Sequence, residues 1–119
     1  MAKNPEQNKI NYIEFTSTDI EATKKFYGTV FGWSFKDWGP DYIDAPAEIA
    51  GLALGFARGT AGQPKSAPLV VLYSKDLEAT EKTIVAAGGT IVEPTFVFPG
   101  GRRFHFSDGA GNVLAVWSE

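Results

Sequence analysis

The chain has 119 residues, 44% apolar and 21% charged, with a formal net charge of -3, the size and make-up of one globular domain with room for a real core. Its 11 Lys and Arg residues are scattered along an acidic chain and form no basic patch for nucleic acid, and no apolar run is long enough to span a membrane. The absence of Cys excludes a disulfide framework, a thiolate metal site and a Cys nucleophile, and a cytoplasmic location is expected.

Residues 1–9 are polar, lack the apolar core of a signal peptide and are expected to form a disordered lead-in. Ile10–Phe15 alternates as a strand, with Ile10, Tyr12 and Glu14 on one side and Ile13 and Phe15 on the other. Asp19 suits the N-cap of a helix running to Phe31, with Glu21 favoured in its first turn and Gly32 ending it. Ala22, Phe26, Tyr27 and Val30 fall at helical spacing and define its apolar face. Trp33–Lys36, Tyr42–Ala45 and Ile49–Arg58 follow as strands, with Trp38-Gly39-Pro40-Asp41 as a turn.

After a Gly-, Pro- and Ser-rich linker at 59–67, the order repeats. Leu69–Tyr73 is a strand, Asp76 caps a helix to Ala87, and Gly88-Gly89 ends it. Thr90–Glu93 and Thr95–Phe98 form the next strand, bent by Pro94. Arg102–Ser107 and Val113–Ser118 complete the set, joined by the tight turn Asp108-Gly-Ala-Gly-Asn112. Phe104 and Phe106 alternate with Arg103 and His105, which places the last two on the face opposite the helix.

The repetition is also literal. Ser17, Asp19, Glu21, Ala22, Thr23, Lys25 and Gly32 recur 57 positions later as Ser74, Asp76, Glu78, Ala79, Thr80, Lys82 and Gly89. A repeat at half the chain length predicts two tandem βαβββ modules, residues 10–58 and 68–119, within one α+β domain. The modules are expected to form an open, barrel-like cup with the helices outside.

Ile10-Asn-Tyr-Ile-Glu-Phe, Asp19, Phe26-Tyr27, Val30-Phe31-Gly32-Trp33, Ala87-Gly88-Gly89 and Phe106-Ser-Asp-Gly-Ala-Gly-Asn-Val-Leu114 carry a resemblance. With the repeat, they make the chain similar to a single-domain member of the vicinal oxygen chelate superfamily, the glyoxalase, bleomycin-resistance and extradiol dioxygenase group. The resemblance implies that a metal, where present, sits at four positions, on the first and last strand of each module. Aligned on the capping Asp and on the pair Gly51 and Gly111, these are Tyr12, Gly55, Leu69 and Ala115. None is a usual ligand, so no metal and no other cofactor are expected.

The expected function is therefore metal-independent binding of a small apolar or aromatic molecule in the cup. Small residues at Gly55 and Ala115 leave space, Tyr12, Tyr73 and Trp117 supply aromatic walls, and Glu14, Arg103 and His105 supply polar groups. A homodimer is expected from the resemblance and the aromatic content. The alternative is an enzyme of the same superfamily, a lyase, isomerase or dioxygenase. It would use Glu14 and His105 with Tyr12, or hold a non-standard metal at Glu14, Glu48 and His105. Glu14 also has a structural reading, paired with Arg102 or Arg103 or bonded to a Tyr hydroxyl.

Overall fold

A computed structural model describes residues 5–60 and 67–119. Most of the expected linker, and the start of the expected lead-in, lie outside the described residues. The chain runs β1 (Tyr12–Ser17), α1 (Ile20–Phe31), β2 (Lys36–Asp37), β3 (Tyr42–Ala45), α2 (Ala47–Ala50) and β4 (Ala53–Arg58). It continues with β5 (Val70–Tyr73), α3 (Leu77–Ala86), β6 (Thr90–Phe98), β7 (Gly101–Ser107) and β8 (Val113–Ser118). The result is a mixed α+β fold of two four-stranded sheets, ordered β1-β4-β3-β2 and β5-β8-β7-β6, neither closed into a barrel. In each, the first and last strands of a module lie parallel and the other pairs antiparallel.

The repeated residues build the two strand-to-helix junctions. Ser17 Oγ accepts from the Asp19 backbone N–H (3.0 Å) and shares a 2.6 Å hydrogen bond with Thr23 Oγ1. Ser74 does the same with Asp76 (3.1 Å) and Thr80 (2.7 Å). Asp19 and Asp76 each accept from the N–H three residues on, at 3.1 Å. Such a cap is worth about 1 kcal/mol. The repeat thus encodes how each helix leaves its strand.

α1 is wrapped by both modules. Tyr27 packs 5.0 Å from Phe56 of β4, while Phe26 and Phe31 lie 6.1 and 6.2 Å from Phe106 of β7. Phe15, Ile43, Ile84, Phe104, Leu114 and Val116 join them in one core. A hairpin ties the modules together: the Tyr27 hydroxyl donates to Asp108 Oδ2 (2.9 Å), and Asp108 Oδ1 accepts from the N–H groups of Ala110 (2.8 Å) and Asn112 (3.1 Å). The Asn112 amide reaches the Thr16 carbonyl (2.7 Å), and Thr18 N–H reaches the Ala110 carbonyl (3.0 Å).

Several boundaries differ from expectation. Ile10 is solvent-exposed and outside β1, which instead extends to Ser17. Trp33 and Phe35 turn into the aromatic cluster, on Tyr27 (5.2 Å) and Phe56 (6.1 Å), so the second strand shrinks to Lys36–Asp37. The start of the expected Ile49–Arg58 strand is helical: Pro46 precedes the single turn α2, and Gly51 at φ 95° ends it. On α1 the buried position is Thr23, held by Ser17, while Ala22 is exposed. β6 is one strand, with register shifts on either side of Glu93 where Pro94 removes a donor.

Candidate functional site

Each sheet gives one face to the shared core and leaves the other bare. Strand register fixes what the bare faces carry. On the first sheet, Glu14, Gly55 and Asp44 lie side by side, flanked by Tyr12 and Tyr42. On the second, Ala115 lies between Val71 and His105, Trp117 lies between Tyr73 and Arg103, and Phe96 adjoins Arg103. Because the core faces of both sheets close on α1, these two bare faces do not close on each other within one chain. The sequence-derived set is divided: Tyr12, Glu14 and Gly55 on one face, Tyr73, Arg103, His105, Ala115 and Trp117 on the other.

The first face is filled by its own phenols. The Tyr12 and Tyr42 hydroxyls are 2.6 Å apart, and Tyr42 donates to Glu14 Oε1 at 3.0 Å. Tyr42 has one proton, so Tyr12 donates to Tyr42 and the chain ends on the carboxylate. Burial first, then the neighbouring Tyr12 and Glu14, push the Tyr42 hydroxyl far above the usual phenol range. Burial raises Tyr12 as well, with Asp44 and Glu14 adding to it. Both phenols are therefore hydrogen-bond groups at neutral pH. They cross over Gly55: a Cβ there would lie 2.5 Å from the Tyr42 oxygen, with the Tyr12 oxygen nearer still. Glu14 is held by Tyr42, while Arg102 pairs with Glu78 of α3 (2.8 Å).

The second face is aromatic and cationic. The Arg103 guanidinium carbon lies 5.3 Å from the Phe96 ring and 5.4 Å from the Phe98 ring. Trp117 stands 5.1 Å from Tyr73 and 6.4 Å from Phe98. Val71, Phe98, Pro99, Gly100, Arg103 and Trp117 line a cavity of about 360 Å³. His105 packs 5.7 Å from Phe96, and its Nε2 and the Arg103 Nε are buried without a hydrogen-bond partner. Burial lowers the His105 pKa, Arg103 lowers it further, and Glu93 opposes them, so the ring is neutral at pH 7. A larger, mainly apolar cleft of about 550 Å³ runs along the seam where β1 and β4 meet β5, between Ile13, Trp33, Leu52, Leu54, Val70 and Leu72.

The four positions that the sequence resemblance assigns to a metal do not carry side chains that fit one. Tyr12 is engaged with Tyr42, Gly55 lies under both phenols, Leu69 just precedes β5, and Ala115 is fully buried. Among the described residues no three His, Asp or Glu side chains converge on a common point, so Glu14, Glu48 and His105 do not make a donor set.

Tyr42, Phe96 and Phe98 complete the two faces and were not singled out by sequence. Tyr42 shares its strand parity with Asp44, and Phe96 and Phe98 share theirs with Arg103, but both signals depend on knowing the register across the turn or past Pro94.

Residues 9–116 match the Glyoxalase/Bleomycin resistance protein/Dioxygenase superfamily. The chain belongs to that superfamily. It is 28% identical, over 93% of its length, to CFP32 of Mycobacterium bovis, described as a candidate glyoxylase, and spans 46% of that relative. The chain thus covers about half the length of the curated relatives it matches. Among solved structures, a glyoxalase-related enzyme from Fulvimarina pelagi superposes with a TM-score of 0.76 at 21% identity, over 94% of this chain and 88% of that one. The fosfomycin resistance protein FosX of Listeria monocytogenes, complexed with Mn(II) and a dihydroxypropylphosphonic acid, gives 0.79 at 17% identity over 95% and 91%. At these identities the likeness is one of fold.

Proposed function

We propose that the protein binds a small apolar or aromatic molecule, without a metal, against the bare face of its second module. The observation that carries this reading is the cavity between Val71, Phe98, Arg103 and Trp117, of about 360 Å³, within the range of small-molecule sites. Its walls are rings and an aliphatic side chain, and its rim carries a single cation. The first module's face has the same fold but its space is taken up by Tyr12 and Tyr42. The unsuitability of Tyr12, Gly55, Leu69 and Ala115 as ligands supports the metal independence of binding.

A second copy completes the cup in this reading. β1 and β5 are edge strands with one partner each, and the exposed apolar side chains Ile49, Leu52, Val71 and Tyr73 cluster at the seam between them. The acidic, phenolic face of one chain also complements the cationic, aromatic face of another in charge.

Thermal-shift and calorimetric titration with neutral one- and two-ring aromatic molecules tests the reading. Saturable binding at one site per chain is expected, unchanged by chelator and weakened about tenfold or more in Trp117→Ala. Absence of binding across the series, or binding that disappears with chelator and returns with a divalent metal, would overturn it.

A further inference from the structure

We infer that the ligand of the second face is an anion, an aromatic or heteroaromatic carboxylate of one or two rings, whose carboxylate is taken by Arg103. The inference rests on the binding reading above and narrows its ligand class.

Three observations converge on it. Arg103 forms no ion pair among the described residues, although the chain's other arginines do: Arg58 with Asp41 (2.7 Å) and Arg102 with Glu78 (2.8 Å). Its guanidinium lies instead over the rings of Phe96 and Phe98, which attract the cation without neutralising its charge. Its Nε is buried with no acceptor, and so is the Nε2 of His105, two residues along the same face. A buried guanidinium nitrogen and a buried ring nitrogen left unsatisfied cost free energy, and a carboxylate is the ligand group that satisfies a guanidinium at two points.

The nearby carboxylates do not serve. Glu93 faces His105 across the β6–β7 pair, and Glu119 accepts from the Tyr73 hydroxyl at 3.1 Å. Neither contacts Arg103 within ion-pair distance.

The ring of the ligand is set by the remaining walls. Arg103 lines the same cavity as Phe98, Trp117 and Val71, so a carboxylate on the guanidinium places its attached group among aromatic faces. A cavity of about 360 Å³ holds a planar system of one or two rings. A phosphate-bearing nucleotide finds no Gly-rich loop opening a helix on this face.

The test compares 2-naphthoate with 2-naphthamide, which share shape and differ by one charge, by calorimetry at neutral pH. The carboxylate is expected to bind the wild-type protein about tenfold or more tighter than the amide. That preference is expected to vanish in Arg103→Met and to survive in part in Arg103→Lys, with far-UV circular dichroism establishing that both variants fold. Equal binding of the two probes overturns the anion and leaves the apolar reading standing. Binding of neither probe overturns both. A carboxylate preference that persists in folded Arg103→Met removes Arg103 from the site.

Discussion

At the scale of single residues, Gly55 shows how one missing side chain decides what a face can do. Its α-carbon sits under two crossed phenols, and the bond between them leads to Glu14. Alanine at this position must displace the phenol ends or bend the strand. Gly55→Ala is therefore expected to cost about 1 kcal/mol, the usual worth of a hydrogen bond. In a Tyr12→Ala background the same change is expected to cost less than half as much, because the nearer phenol is gone and Tyr42, released from its hydrogen bond to Tyr12, can swing off the methyl. Urea denaturation of the four proteins in the cycle reads this directly. Equal costs in both backgrounds would mean that Tyr12 does not limit the glycine's space. The sequence showed that Gly55 and Tyr12 share a face. It could not show that Tyr42 arrives from β3 to meet them, since that contact depends on a register set by β3–β4 pairing.

At the scale of elements, the hairpin from β7 to β8 does more than reverse the chain. Asp108 is buried, and its two oxygens accept from the Tyr27 hydroxyl, the Ala110 and Asn112 N–H groups and the Asn112 amide (3.0 Å). Burial, and then the Asp108 charge, push the Tyr27 phenol well above its ordinary range, so it remains a donor. Asp108→Ala is expected to destabilise by about 2–4 kcal/mol because it leaves several buried donors unpaired, whereas Tyr27→Phe, which removes only one, costs about 1 kcal/mol. Chemical denaturation of both variants tests the order; Tyr27→Phe at least as costly as Asp108→Ala would refute it. The helices and the longer strands were legible because capping Asp, Gly stops and strand alternation are local signals. The short α2 and the loss of most of the second strand were not. Four residues after Pro46 carry no helical period, and Trp33 and Phe35 leave the sheet for partners on α1 and β4. The Asp108 turn was recognised as a turn, but nothing local announces that its carboxylate reaches a tyrosine 81 positions away.

At the scale of the whole molecule, the two modules share a fold and a junction yet present faces of opposite character. The superfamily and the α+β architecture could be read from the repeat and its motifs. The division of the site residues between two faces could not, because it depends on how the modules pack around α1. One global property follows from His105. Burial and Arg103 hold its folded-state pKa below the ordinary 6.5, so on acidification the unfolded chain takes up the proton first. Folding stability is thus expected to fall as the pH drops below about 6.5 and through the folded pKa, and to receive no pH-dependent contribution from this ring well above about 6.5. His105→Asn is expected to flatten that part of the stability curve relative to wild type, as measured by urea midpoints between pH 5 and 8. A variant curve parallel to the wild-type curve would show that the ring titrates alike in both states.

The matched Ser–Asp–Thr junctions carry a consequence for how such a chain can change. The groups that direct each helix off its strand are confined to the ends of β1 and β5 and the first turns of α1 and α3. The groups that distinguish the two bare faces project from β1, β3, β4, β6, β7 and β8. The instructions for folding and the chemistry of recognition are thus written at different addresses in each half. A library that randomises Phe96, Phe98, Arg103, His105 and Trp117 would explore new specificities while leaving both folding junctions intact.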